Sequence, residues 1–144
     1  KNVEGRAQEV HTSTQEKSRY LPFAFLNPLG MKMAAGVATI IVSRAGSTIF
    51  EIASWGTPSV IIPITTTNGD HQRKNAFSYA HTGACDVIEE MNMTANILSS
   101  EIERIMNDKT IWNKMAQYAK AYNKPDAAYK IARELMDIAL SHEK

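Results

Sequence analysis

Thr39-Ile40-Ile41-Val42-Ser43-Arg44-Ala45-Gly46-Ser47-Thr48-Ile49-Phe50-Glu51-Ile52-Ala53-Ser54-Trp55-Gly56-Thr57-Pro58-Ser59-Val60-Ile61-Ile62-Pro63 is the stretch on which the fold turns. It opens on a short β-branched run with no polar interruption, the pattern of a strand covered on both faces. Residues 43–47 read as a turn. Residues 48–55 then take helical spacing, with Ile49, Ile52 and Ala53 on one face, and Gly56 stands where a C′ glycine ends a helix. Residues 58–63 form a second apolar strand, bracketed by prolines. A strand, a helix and a strand at these intervals make a βαβ unit, whose sheet is parallel.

Downstream the unit repeats. A polar loop over residues 65–69 leads into a helix over 70–81, Gly83 punctuates, and residues 85–88 read as a third short strand. Right-handed crossovers place helices on both faces, which is a Rossmann-like α/β architecture. After Ile88 the chain turns helical. Thr94 caps a helix with Ile97, Leu98, Ile102 and Ile105 inward, a second helix covers 110–122, and Pro125 sits at N1 of the last, with Asp126 complementing its dipole. That last helix carries an apolar stripe of Ala128, Ile131, Ala132, Leu135 and Ile138. Upstream, residues 20–23 read as a short strand and 29–37 as an apolar helix. Residues 1–18 form a polar lead-in on which Val3, Ala7 and Val10 share a weak helical face, and the absence of a structural prelude suggests a piece of something longer. The expected layout is a single, incomplete domain: lead-in over 1–18, βα units over 19–90, helices over 91–144.

Composition narrows the function classes. The chain has 144 residues, 44% hydrophobic and 22% charged, ordinary globular usage that argues against disorder. Lys plus Arg number 16 against 15 Asp plus Glu, so no basic excess exists to hold a nucleic-acid backbone. Cys85 is the sole cysteine and the four histidines are scattered, which offers no zinc spacing and points to a reduced, cytosolic setting. No apolar run approaches the roughly 18 residues of a membrane span, and no secretion signal opens the chain. The expectation is a protein that is soluble or at most attached to a membrane surface.

Three places could carry chemistry. In an open parallel sheet, ligands bind beyond the carboxyl ends of the strands, and the turn Gly46-Ser47-Thr48 stands there with helix-start amides that favour phosphate. A plain tight turn is the structural alternative, and no complete G-x-G-x-x-G occurs. Glu51 completes a Thr48-x-x-Glu51 capping box, or else accepts hydrogen bonds from a ribose diol; one carboxylate cannot do both. The cluster Asp70-His71-Gln72-Arg73-Lys74-Asn75 follows the second strand at the same sheet edge, where its side chains could meet sugar hydroxyls or simply solvate a helix start. His71 lacks a carboxylate partner at a convincing spacing for a general base. His81 looks like a helix-end residue, and His11 and His142 lie in the polar termini. No hydrolase triad, H-E-x-x-H, P-loop or paired-carboxylate motif emerges, and the seven methionines are dispersed gap-fillers rather than metal ligands.

The segment from Val42 to Ala53, then Gly56-x-Pro58 and Ile61-Ile62-Pro63, then Asp70-His71-Gln72-x-x-Asn75-Ala76, and the ending Lys124-Pro125-Asp126-Ala127-Ala128, resembles the carboxyl-terminal domain of the MurG family. The resemblance runs from about Tyr20 to the end. It implies a GT-B glycosyltransferase domain, without its first strand, that binds UDP-N-acetylglucosamine. The family's other domain would bind the undecaprenyl-linked acceptor at the cytoplasmic face of the membrane. The implied reaction transfers N-acetylglucosamine from UDP to lipid I with inversion, giving lipid II for peptidoglycan, hence cell-wall biogenesis, cell shape and division. It implies no metal and no cofactor. By motif matching, Phe25 and Leu26 would lie at the uracil. Gly46, Ser47, Thr48, Ile49 and Phe50 would meet the diphosphate and ribose, Glu51 the ribose hydroxyls, and Gln72 the donor sugar, with Arg44 and Asn75 in support. This sequence has one residue fewer than the family between Arg44 and Glu51, and it lacks the glycine-rich loop of the family's first strand. The catalytic base is expected outside these residues, so the chain alone is expected to be inactive. The alternatives are the donor-binding subunit of a two-chain transferase, and a non-catalytic nucleotide-sugar-binding module. Acceptor identity and oligomeric state are not legible.

Overall fold

A computed structural model describes residues 20–65 and 68–141. Three parallel strands, β1 (Ile41–Ser43), β2 (Ser59–Ile61) and β3 (Cys85–Val87), stand in the order β1-β2-β3. Val42 pairs with Val60, and Val60 with Asp86. The helices are α1 (Pro28–Val37), α2 (Thr48–Trp55), α3 (His71–Ala80), α4 (Ala95–Asn107), α5 (Lys109–Tyr122) and α6 (Ala127–Ser141). A 3-10 turn, Asn68–Asp70, leads into α3. The chain divides into two units, up to Ala34 and from Ala35 onward.

In the second unit β2 is buried along its whole length, and the two-residue period of a strand sends its side chains into two cores. Ile61 packs with Ile49, Ile52 and Ala53 of α2, Ala76 and Tyr79 of α3, and Ala119 of α5. Val60 and Ile62 pack with Ile88, Ile105 of α4 and Met115 of α5. Each fully buried isoleucine contributes roughly 1.5–3 kcal/mol, so two short patches of apolar sequence suffice to wrap the central strand. The parallel sheet with helices on both faces is the architecture expected from the sequence.

Helix ends follow local chemistry. Gly56 closes α2 in the left-handed region at φ 67°, its amide donating to Ile52 and Ala53 carbonyls. Thr94 caps α4, its Oγ1 accepting from the Ile97 amide at 3.2 Å. Asp108 caps α5: its carboxylate accepts from the Thr110 and Ile111 amides at 2.8 and 3.1 Å, which holds its carboxyl below the usual range. That cap escaped the sequence reading, which began the helix at Thr110. Trp112 of α5 donates to the Thr39 carbonyl at 2.7 Å and so pins the helix to the approach to β1.

Four expectations are corrected. Residues 20–23 form no strand: they are exposed and irregular, Pro22 has no amide to give, and no described residues pair with them. In that first unit, α1 starts at Pro28 rather than Leu29, with Asn27 Oδ1 accepting from the Gly30 amide at 2.8 Å. Pro125 is not N1 of the last helix; it lies in a turn, and α6 begins at Ala127. Of the inner face expected for α4, Ile105 is buried and Leu98 packs half-buried against the same core, but Ile97 is 45% exposed. The stripe on α6 forms, but no described residue buries it. The expected lead-in helix over 1–18, His11 and His142 lie outside the described residues.

Candidate nucleotide-binding edge

Everything proposed for the site in the second unit sits where β1, β2 and β3 end. The chain leaves β1 at Ser43 and enters α2 within four residues, so the helix start is held directly at the strand end. The turn is tight: Ile49 N donates to Gly46 O at 3.2 Å and Phe50 N to Ser47 O at 3.0 Å. Those bonds span three residues, which leaves the amides of Ser47 and Thr48 without a partner among the described residues. Ser47 is exposed and Thr48 half-buried. A helix start with unpartnered amides at the carboxyl edge of a parallel sheet is suited to a phosphate.

Gly46 has no structural requirement to be glycine. It does not occupy the left-handed region, and a Cβ built on it meets nothing within 4 Å. What glycine permits there is a close approach from outside the described chain. Gly46→Ala should therefore melt within about 0.5 kcal/mol of the parent, as substitutions outside packed sites do. On the reading that this turn receives a nucleotide diphosphate, the added methyl should weaken UDP binding on the order of tenfold. A thermal melt beside a UDP titration separates this from a mere turn, for which stability would drop and nothing else.

The capping box is absent. Ser47, not Thr48, is the N-cap; its backbone is already helical (φ −57°, ψ −22°) and its side chain makes no cap bond. Glu51 is thereby one residue too far along to reach back. Its carboxylate accepts no hydrogen bond from any described residue and is exposed, while its carbonyl accepts from Ser54 Oγ at 2.7 Å. Of the two roles open to Glu51 in the sequence, the structure removes one.

The other residues separate by what their side chains touch. Ile49 is 2% exposed and belongs to the core, so only its backbone borders the turn. The Phe50 ring stacks on Tyr122 of α5, with centroids 6.2 Å apart and planes 16° from parallel, and so joins the seam between α2 and α5. Arg44 donates through Nη1 to Ile62 O at 3.3 Å and through Nη2 to Glu90 Oε1 at 2.6 Å. Gln72 accepts from the Ile64 amide at 3.1 Å through Oε1, which leaves its NH₂ group to donate elsewhere. Asn75 donates from Nδ2 to Ala45 O at 3.3 Å, tying α3 to the turn after β1. His71 is exposed, and a Cβ on Gly69 would lie 2.8 Å from its Nε2, so the imidazole lies against that glycine. Phe25 and Leu26 lie in the first unit, before α1, exposed and half-buried respectively.

Sequence reasoning missed Glu89 and Glu90. They follow β3 after Ile88 and pair with Arg73 and Arg44 at this same edge, at 2.8 and 2.6 Å. The signal for them was an acidic pair after a strand facing two arginines after two others. Away from the edge, Asp86 of β3 pairs with Arg104 of α4; burial pushes the Asp86 carboxyl up, against the pull of the guanidinium. Cys85 is buried, its thiol pushed up to about 12 chiefly by loss of solvent, so it stays a thiol and is no nucleophile. Among the described residues no group of three His, Cys, Asp or Glu side chains could hold a metal ion.

Comparison with known proteins bears on this edge. Residues 3–131 match the family described as "Glycosyltransferase family 28 C-terminal domain". A protein of Leuconostoc citreum is 32% identical over 144 residues, covering 99% of this chain and 38% of its own length. One from Pediococcus pentosaceus is 37% identical over 101 residues, covering 69% of this chain and 28% of its own length. Both are named "UDP-N-acetylglucosamine--N-acetylmuramyl-(pentapeptide) pyrophosphoryl-undecaprenol N-acetylglucosamine transferase". The crystal structure of Acinetobacter baumannii MurG superposes with a TM-score of 0.70 at 28% identity, over 81% of this chain and 33% of that one. The chain thus spans about a third of the length of the relatives it matches.

Proposed function

This chain belongs to the glycosyltransferase family 28 C-terminal domain family, and from that premise we propose that it binds UDP-N-acetylglucosamine at the carboxyl edge of its sheet. It does so as the donor-binding part of an inverting N-acetylglucosaminyltransferase that converts lipid I to lipid II in peptidoglycan synthesis. The observation that carries this reading is the Gly46–Thr48 turn, open and with two amides unpartnered among the described residues, followed within its own helix by the Glu51 carboxylate, which accepts no bond from any described residue. The diphosphate fits the Ser47 and Thr48 amides, the ribose hydroxyls fit Glu51, and a sugar oxygen fits the NH₂ group of Gln72.

The chemistry follows from that placement. The acceptor hydroxyl attacks the anomeric carbon and UDP departs with the bonding pair, so negative charge grows on the diphosphate. Helix-start amides are already oriented toward that charge and stabilise it without reorganising. They do the work that a divalent cation does in sites built of carboxylates, and the five aspartates of the chain are dispersed along it. Acceptor and base are supplied by the rest of the transferase, which works as a peripheral protein on the cytoplasmic face of the membrane. No described helix is long and apolar enough to cross it.

Titration of UDP into the chain, with excess chelator and again with magnesium, tests the reading. Saturable binding of equal affinity in both is expected. Failure to bind UDP overturns the site, and a large gain on adding magnesium overturns its metal-free character. The chain by itself should turn over no UDP-N-acetylglucosamine, because acceptor and base must both be held at the anomeric carbon.

A further inference from the structure

The first turn of α3 carries Gln72, yet apolar burial does little to hold it. Of the helix only Ala76 and Tyr79 are buried, while His71, Arg73, Lys74 and Asn75 are exposed. Its N-cap, Asp70, lies in the left-handed region and makes no side-chain cap bond. Besides the bond from the Ile64 amide to Gln72 Oε1, what locates this turn is a closed circuit of polar contacts joining the three strand ends. Asn75 binds the Ala45 carbonyl after β1 at 3.3 Å, Arg73 Nε donates to Glu89 after β3 at 2.8 Å, and the adjoining Glu90 accepts from Arg44 at 2.6 Å. Arg44 also donates to the Ile62 carbonyl after β2 at 3.3 Å, and the Arg73 guanidinium lies 5.7 Å from the centroid of the Phe77 ring, which fixes its direction. The circuit returns to Ala45 through the backbone of residues 44–45.

We propose that Glu89 and Glu90 are positioning residues that set the distance between the phosphate-binding turn and Gln72, Glu89 acting through Arg73 and Glu90 through Arg44. The proposal rests on the assignment of this edge to a nucleotide-sugar. Neither carboxylate is assigned a ligand contact, since each is paired with an arginine of the chain. Each holds a segment that is assigned one, and the two are adjacent, so the loop after β3 couples the sugar-binding and phosphate-binding segments.

The two pairs predict different losses. Releasing Glu89 loosens the first turn of α3 and with it the sugar contact, while Asn75, the buried Ala76 and Tyr79, and the turn after β1 stay in place. Releasing Glu90 frees Arg44 and the turn itself. Exposed pairs of this kind are worth little to stability, so the variants fold, and the effect to read is about two- to fivefold. In titrations with UDP and UDP-N-acetylglucosamine, Glu89→Ala should lose about threefold for the sugar nucleotide and nothing for UDP, which lowers the ratio of the two affinities. Glu90→Ala should weaken both ligands alike. Exchanging the charges, Glu89→Arg with Arg73→Glu, should restore the ratio, whereas Arg73→Glu alone should not. A general loss of structure would move the melting temperature and both affinities together, and Glu89→Gln repeats the test with less perturbation.

If the parent chain prefers the sugar nucleotide and Glu89→Ala and Glu89→Gln keep that preference, the positioning role is overturned and the nucleotide site stands. A ratio that falls but does not return in the charge exchange likewise overturns it. If the parent binds neither ligand, the site falls, and the positioning role with it.

Discussion

Glu51→Gln is expected to leave the melting temperature almost unchanged and to weaken UDP binding by at least about tenfold, or roughly 1.4 kcal/mol. Stability is insensitive because the carboxylate closes no capping box and accepts no bond within the described chain. The lost term is the favourable charge at a helix start, about 0.3–1 kcal/mol at an exposed position, and glutamine is nearly as good a helix former. Binding is sensitive because a carboxylate accepting from two ribose hydroxyls makes charge-assisted bonds, each type worth about 1.5–3 kcal/mol against a neutral partner's smaller share. Glutamine keeps the length and one acceptor but presents a donor to the second hydroxyl. Calorimetric titration with UDP beside a thermal melt decides it. A variant that melts lower and binds UDP as the parent does would return Glu51 to a purely structural role.

Gly56→Ala carries the largest expected loss of stability, about 2–5 kcal/mol. Two causes add. Alanine in the left-handed region costs about 1–2 kcal/mol, and Gly56 sits there at φ 67° to end α2. Its new Cβ would also lie 2.5 Å from Cγ and Cε of Lys120, whose stem passes over the glycine from α5. Lys120 must swing away, uncovering the seam between α2 and α5, and overpacking of this kind costs about 1–3 kcal/mol. For a chain of this size the melting temperature should fall by roughly 5–12 °C. Adding Lys120→Ala removes the collision but not the backbone strain, so the double variant should recover part of the loss. A single variant melting within about a degree of the parent would show that neither cause operates. Loss of order in α2 should also loosen the nucleotide turn, since the same eight-residue helix carries Glu51.

The two substitutions lie five residues apart on one short helix and test opposite ends of the relation between fold and site. Gly56 was readable as a C′ glycine because a helix end is a local event, decided by residues within a turn of each other. The same holds for Thr94. Asp108 was equally local, and it escaped because Lys109-Thr110 gave the helix a polar start that hid where it began. The strand expected at residues 20–23 failed for the opposite reason: a strand exists only where a partner supplies its ladder, and a short apolar run cannot show whether one is there.

The candidate edge divides along the same line. The order strand, turn, helix, strand, helix, strand placed Gly46, Glu51 and Gln72 after successive strands, and a parallel sheet brings successive strand ends together; that much the sequence determined by itself. It also determined the family, through motifs whose order survives in 144 residues although one spacing is shorter by a residue. Only the tertiary structure decided what each side chain is free to do. Whether Glu51 caps its helix depended on the dihedral angles of Ser47, since a first turn closed one residue early moves Glu51 out of reach of the cap. Whether Gln72 could donate depended on Ile64 taking its oxygen. The pairing of Arg44 with Glu90 spans 46 residues; the sequence shows an acidic pair and two arginines after different strands, but which carboxylate meets which guanidinium is decided only by the backbone that folding places beside them.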